Sequence, residues 1–426
     1  MANAAPGISL ERVYPPNDGA AGAPPPAGRW TAWILTWVSY ATYYMGRKGL
    51  SVAKAPIAAS LGKDTLLGVD TVYLAAYALG QYVNGFLGDR VGARKLVGIG
   101  MLVSSVACFA FGASSLSIAF LLAFAVNGYA QSTGWPGNVK AMAEWTTAEN
   151  RGRVMGLWAT CYQVGGIIAT WAATRMLGKF GWRGAFWGPA IAIAVVGLLV
   201  LVLLKPGPHA LRSATTNSPL DLEEEGKRKA ERKRVLTSST IWCYGGSYFG
   251  MKLIRYSILF WLPFYLTTAL RYSPTEAGDM SISFEVGGVI GTIVMGFLSD
   301  WKRNIPRSVF SSVWLVLLAA AIFLYARVGA TSWLMNVAIM ALVGALLFGP
   351  DSLISGAAAQ DAGGPYAAAT AAGLVNGIGS IGAILQEYVT RGVSQAYGWD
   401  KLFYVFVGLA LFSAACLIPT FRTRAK

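Results

Sequence analysis

The chain is a succession of apolar runs, each long enough to cross a bilayer, and nothing else in it constrains the fold as strongly. The runs fall at about 30–60, 68–89, 95–114, 116–142, 152–178 and 184–204, then at about 239–270, 277–300, 307–327, 333–358, 366–394 and 399–420. One crossing takes about 20 apolar residues. The reading is an all-α membrane protein of twelve transmembrane helices in two blocks of six. The charge content agrees: 13% of residues are charged, against about 25% in an average soluble protein. That is too few to cover a soluble exterior, which excludes a water-soluble enzyme or a DNA-binding protein.

Between and around the blocks the composition changes. Residues 1–29 hold Pro15-Pro16 and Pro24-Pro25-Pro26 and lack the basic and apolar regions of a signal peptide, so they read as an N-terminal tail. The expected divisions are this tail, a six-helix half at 30–204, a linker at 205–237, a second half at 238–421 and a short C-terminus at 422–426. The linker carries Glu223-Glu224-Glu225 followed by Lys227, Arg228, Lys229, Arg232, Lys233 and Arg234, a solvated charge run.

The net charge of +15 is explained by where the bases lie. Arg90, Arg94 and Lys95, Lys140, Arg151 and Arg153, the linker bases, Lys302, Arg303 and Arg307, and Arg422, Arg424 and Lys426 all fall on one face if both ends are cytoplasmic. The other face is poorer in bases, as the positive-inside rule requires, and no nucleic acid is needed to account for the surplus. Cys108, Cys161, Cys243 and Cys416 sit scattered inside apolar runs and His209 is the single histidine, so no metal site, cofactor or catalytic pair is expected. Scarce cysteine and compact loops suit a bacterial cell (inner) membrane, with the chain as a monomer.

The two halves echo one another. Gly85-Phe86-Leu87-Gly88-Asp89-Arg90-Val91-Gly92-Ala93-Arg94-Lys95 follows span 2, and Gly296-Phe297-Leu298-Ser299-Asp300-Trp301-Lys302-Arg303 follows span 8. Gly181-Trp182 before span 6 matches Gly398-Trp399 before span 12. Parallel six-helix halves place their substrate at the interface between them. In these loops Gly85 and Gly92 permit close helix approach. Asp89 and Asp300 can cap a neighbouring helix N-terminus or pair with a base such as Arg90 or Arg94, latching one conformation. The first segment resembles the loop signature of the major facilitator superfamily, and the second is a degenerate copy of it.

Four bases lie inside spans: Arg47 and Lys48 in span 1, Lys252 and Arg255 in span 7. Each costs at least ~2.5–3.5 kcal/mol in hydrocarbon, so such groups face an aqueous cavity or a partner. Arg47 and Arg255 stand at nearly equal distances ahead of Asp89 and Asp300, so they occupy matching places in the two halves. Two arginines facing each other form an anion clamp whose planar forks match phosphate. The alternatives are that Arg47 and Lys48 snorkel to a helix end, or that an in-span acid (Glu285, Asp351 or Glu387) neutralises each base. Tyr40, Tyr43, Tyr44, Tyr77, Gln81, Trp135, Tyr162 and Gln163 are the nearby polar and aromatic candidates for ligand contact.

Tyr43-Tyr44-Met45-Gly46-Arg47-Lys48, Gly134-Trp135-Pro136, Arg151-Gly152, Val164-Gly165-Gly166 and Arg255-Tyr256-Ser257-Ile258-Leu259 resemble the organophosphate:phosphate antiporter family. Leu259-Phe260-Trp261-Leu262-Pro263, Glu276-Ala277-Gly278-Asp279, Val286-Gly287-Gly288-Val289-Ile290-Gly291 and Gly379-Ser380-Ile381-Gly382 resemble its sugar-phosphate exchanger branch, as does Lys252. The resemblance implies rocker-switch exchange of inorganic phosphate for an organophosphate of sugar, glycerol or phosphoglycerate type, with Arg47 and Arg255 on the phosphoryl group. It also implies a Lys48–Glu285 ion pair. Two positions depart from the glycerol-phosphate exchangers: Tyr162 stands where they have histidine and Gln81 where they have lysine. Asp351 is an added acid without an assigned role. The rival readings are a proton-coupled carrier of an organic anion or drug, and a sugar-phosphate sensor that does not transport.

Overall fold

The computed structural model describes residues 28–66, 68–207, 219–272, 274–302, 304–329 and 331–422; most of the expected tail and part of the linker lie outside them. The described chain is helical: α1 Arg29–Tyr43, α2 Met45–Leu61, α3 Val69–Val91, α4 Ala93–Ala113, α5 Ser117–Gln131, α6 Gly134–Trp145, α7 Arg151–Ala159 and α8 Cys161–Leu203. After the linker helix α9 (Pro219–Thr237) come α10 Ser239–Thr268, α11 Pro274–Trp301, α12 Arg307–Val328, α13 Trp333–Ser352, α14 Ala359–Tyr397 and α15 Trp399–Leu417.

Several of these are pieces of one span. α1 and α2 join at a tightened turn where the Arg47 N–H bonds the Tyr44 carbonyl, and α5 and α6 join through Ser132 and Thr133. α8 holds two spans separated at Gly181, where φ is +66°. Its half-chain counterpart, Gly398, sits at φ +86° before α15. Only glycine adopts that conformation without strain, which is the physical content of the repeated Gly-Trp.

Among the described residues seven helical stretches are long and apolar enough to cross a membrane by length and composition, and one of them, Arg151–Leu203, holds two spans, which makes eight. Four others complete the twelve: α1–α2, α3, α5–α6 and α10. These are the helices that carry Arg47, Tyr77, Trp135, Lys252 and Arg255. Two of these spans are broken by mid-span turns into pieces of 15 and 17 and of 15 and 12 residues, and α3 and α10 carry polar groups that line the interior cavity described below.

The outer surface is apolar. Trp171, Val202 and Leu334 are each more than 60% exposed, an arrangement suited to lipid and not to water. Inside, Phe111 stacks on Phe120 and packs on Phe124 and Phe186 with centroids 4.3–4.5 Å apart. The two halves meet where α3 packs on α14, α7 on α11, and α6 on α14. The linker helix lies across this same end, with Arg232 over the Phe86 ring and Arg228 over Tyr366.

Candidate functional site

α10 presents Tyr248, Lys252 and Arg255 on one face, at the i, i+4, i+7 spacing of a helical stripe. Opposite, α1–α2 presents Tyr40, Tyr44 and Arg47 at the same spacing. Together with Tyr77, Trp135, Tyr162, Tyr256, Asp351 and Asn376 they line one cavity at the meeting of the halves. Its free volume is about 10 Å3, room for about one water, so the side chains must part to admit anything larger.

The two arginines are held differently. Arg47 donates through Nε to the Gln131 amide oxygen at 2.6 Å, and Gln131 is itself fixed by donating to Ser104 at 3.2 Å. Its guanidinium lies over the rings of Tyr44 and Tyr77, 4.8 and 5.1 Å from their centroids. Arg255 donates through one terminal nitrogen to both oxygens of Asp351, at 3.0 and 3.1 Å. Tyr162 and Phe348 lie beneath it. Among the described residues, Nη2 of Arg47 and Nε of Arg255 are buried donors without a hydrogen-bond partner. A buried donor left unmade costs about 1–3 kcal/mol, so both forks are primed to accept an oxyanion.

Lys252 donates to the Asn376 side-chain amide oxygen at 2.5 Å and to the Ser380 hydroxyl at 3.1 Å. The Asn376 amide then donates across the interface to Gln81 at 3.0 Å and to the Tyr77 hydroxyl at 3.4 Å. On the other flank, the Trp135 indole N–H donates to the Ser355 carbonyl at 3.1 Å. Ser355 belongs to a π-helical turn, Leu353–Ala358, that follows α13. Such turns free backbone carbonyls and concentrate at functional sites.

The structure separates the expected site residues. Arg47, Arg255, Lys252, Tyr40, Tyr77, Trp135 and Tyr162 come together. Tyr43 does not: it is fully buried, with its hydroxyl on Val97 and Thr133 at 3.1 and 2.7 Å. Gln163 is buried beside Tyr162, outside the cavity lining, and its amide has no partner among the described residues. Lys48 and Glu285 act on each other electrostatically but form no ion pair within 4.0 Å among the described residues; the Lys48 side chain passes beside Gly166. Asp351 instead is the acid that meets an in-span base, so neutralisation holds for Arg255. Asn376, Tyr248 and Tyr256 are lining residues outside the expected contact set, and Asp351 was expected only as a possible neutralising acid; for Tyr248 the helical stripe to Arg255 was the available signal.

The two loop aspartates each cap a helix of the other half. Asp89 accepts from the backbone N–H of Ala369 and Thr370 at 3.1 and 2.7 Å, and from the Thr370 hydroxyl at 2.6 Å. Those amides lie just past a break in α14 at Gly364 and Ala367, where orphan donors and the positive helix end attract a carboxylate. Asp300 accepts from the N–H of Gly152 and Arg153 at 3.0 and 2.7 Å, at the start of α7. Lys140 approaches Asp89 at 3.5 Å, and Arg307 bridges Asp300 to Asp361, which also pairs with Arg151. Gly85 and Gly156 are the contact points: a Cβ at either would stand 3.0 Å or less from backbone of the opposite half. Arg90 instead lies over Phe86 of its own helix, Gly92 turns the chain at φ +83°, and Arg94 is exposed.

This arrangement, two six-helix halves around a central polar cavity with symmetric aspartate caps, defines a multi-pass membrane carrier fold. The Major Facilitator Superfamily profile matches residues 36–386, and the chain belongs to that family. It is 31% identical to "Putative glycerol-3-phosphate transporter 2" of Arabidopsis thaliana, over 92% of this chain and 86% of that one. It is 28% identical to "Sugar phosphate exchanger 3" of Xenopus laevis over 91% of each, and 29% identical to human "Glucose-6-phosphate exchanger SLC37A2" over 90% of each. The solved proton:xylose symporter XylE shares the fold, with a TM-score of 0.72 at 12% identity over 91% of this chain and 95% of that one.

Proposed function

We propose that the chain is a secondary carrier that exchanges an organophosphate for inorganic phosphate, with no cofactor and no enzymatic step. The observation that carries this reading is the pair of buried, unpartnered guanidinium donors on Arg47 and Arg255, one from each half, on a single cavity. The relatives' names supply the substrate class.

In this reading the phosphoryl group bridges Arg47 and Arg255, while Lys252 and the Asn376–Gln81–Tyr77 chain meet the organic moiety. Bases outnumber acids in the cavity, so without an anion the halves repel at the site. A bound phosphoryl group screens that repulsion and lets the halves close over it. A ligand shifts such an equilibrium only by its differential affinity for the two states, and this difference makes exchange obligatory. The aspartate caps hold the linker end shut, and release of both caps opens it. Both termini and the linker lie on the cytoplasmic side of the cell (inner) membrane, and one chain, divided at 205–237, is the working unit.

The experiment is phosphate:phosphate exchange in proteoliposomes by Arg47→Lys and Arg255→Lys, which keep the charge and lose the fork. Each lost charge-assisted bond is worth about 1.5–3 kcal/mol, so exchange falls at least about tenfold. Wild-type rates in both variants would refute the clamp.

A further inference from the structure

Asp351 is an acid in a site built for an anion, and it sits on the very arginine that would hold that anion. It is 1% exposed and lines the cavity. Both of its oxygens take the same Arg255 nitrogen at 3.0 and 3.1 Å. The Tyr248 and Tyr162 hydroxyls approach Oδ2 only at 3.4 and 3.5 Å, longer than the usual 2.5–3.0 Å of an O–H···O bond. A carboxylate offers about four lone-pair positions, so Asp351 retains accepting capacity toward the cavity. The unpartnered Nε of Arg255 shares that cavity. An oxyanion that reaches Arg255 therefore arrives beside a carboxylate.

Two oxygens, both anionic, cannot sit at hydrogen-bonding distance in a low-dielectric site, where like charges repel strongly. One proton between them reverses the sign and makes a charge-assisted O–H···O bond. Deepening the exchange reading, on which it rests, we infer that Asp351 is a specificity-determining residue that admits tetrahedral anions carrying a proton on oxygen and rejects those that carry none. Inorganic phosphate passes, since either of its forms near neutrality keeps a proton. Sulfate does not. A phosphate monoester, whose second ionisation lies near pKa ~6, is taken as its monoanion. The ionisable groups facing Asp351 are Tyr248, Lys252, Arg255 and Tyr256 of α10 and Tyr162 of α8. Of these only Arg255 makes an ion pair with it.

The test is competition against labelled phosphate exchange in proteoliposomes. Arsenate, which carries a proton, should compete within a few-fold of phosphate. Sulfate and monofluorophosphate, similar in shape but protonless at neutral pH, should be at least about tenfold weaker. In Asp351→Asn, checked for folding by its monodispersity in detergent, the gap should close to about threefold or less. In the wild type, competition by a phosphate monoester should weaken as pH rises from about 6 to 8 while that of inorganic phosphate holds. This arm decides the matter if the variant does not fold. Equal competition by sulfate and arsenate, an unchanged gap in folded Asp351→Asn, or pH-independent monoester competition would each overturn the role of Asp351 and leave the exchange reading standing. Absence of any phosphate exchange in the wild type would instead remove that reading and the inference with it.

Discussion

Arg255 gives one guanidinium nitrogen to both carboxylate oxygens of Asp351, at 3.0 and 3.1 Å, while its counterpart Arg47 is held by the neutral amide of Gln131. The pseudo-symmetric pair is thus electrostatically unequal. Arg47 meets no carboxylate, and Lys252 likewise meets only the neutral Asn376 and Ser380. A buried ion pair is weak evidence for stability, because desolvation offsets the attraction. Asp351 is better understood by what it does to an arriving anion.

The close contacts between halves predict a conformational effect from the smallest substitution. A Cβ at Gly85 would stand 2.9 Å from the Ala369 carbonyl oxygen, and one at Gly156 would stand 2.8 Å from that of Thr292. Backbone cannot yield as a side chain can, and overpacking costs about 1–3 kcal/mol. Gly85→Ala and Gly156→Ala should each favour opening at the linker end. The probe is maleimide labelling of Met155→Cys, since Met155 is 1% exposed and its sulfur accepts from Gln360 of the other half at 3.2 Å. Labelling should rise about fivefold or more; an unchanged rate would contradict the contact's role.

The aspartate caps predict a graded series at the same probe. Asp89→Ala removes three accepted bonds to α14, and Asp300→Ala removes the cap on α7 along with one of the two acid partners of Arg307. Bonds to charged groups are worth about 1.5–3 kcal/mol. Each alanine should therefore raise Met155→Cys labelling by tenfold or more (about tenfold per 1.4 kcal/mol). Asp89→Asn, which keeps one acceptor oxygen, should fall between wild type and Asp89→Ala.

Much of this was legible in the chain. The half-chain echo around Asp89 and Asp300, and the matching positions of Arg47 and Arg255, follow from periodicity that sequence displays directly. What sequence withheld is which helix faces which at a given depth. Tyr43 belongs to the same helical stripe as Tyr40 and Arg47, and only the packing of Val97 and Thr133 against it turns its hydroxyl away from the cavity. Asp351 lies in one of the most apolar stretches of the chain, and its pairing with Arg255 depends on α13 lying beside α10. The lysine expected to meet Glu285 fails for the same reason: neighbouring register does not fix the direction of a long, flexible side chain.

The indole of Trp135 joins the halves through one neutral bond to Ser355, worth about 0.5–1.5 kcal/mol net. Trp135→Phe keeps the ring contacts with Tyr40 and Trp158, whose centroids lie 5.3 and 5.6 Å away. Its exchange rate should drop by up to about tenfold, with thermal stability nearly unchanged. Loss of stability comparable to a large core truncation, about 3–5 kcal/mol, would show that the ring and not the N–H matters.

Asn376 accepts from Lys252 and donates to Gln81, so it carries one polar chain across the interface. Asn376→Ala should raise the KM for an organophosphate about tenfold while that for inorganic phosphate changes by about threefold or less. Equal shifts for both would place Asn376 on the phosphoryl group.

The most direct test of exchange is efflux of labelled phosphate from proteoliposomes holding the purified chain. It compares buffer alone, external phosphate, and a panel of sugar, glycerol and three-carbon acid phosphates. The account predicts little efflux into buffer, strong stimulation by phosphate, and stimulation by at least one organophosphate. Efflux indifferent to the external solute, from protein shown to be folded, would contradict it.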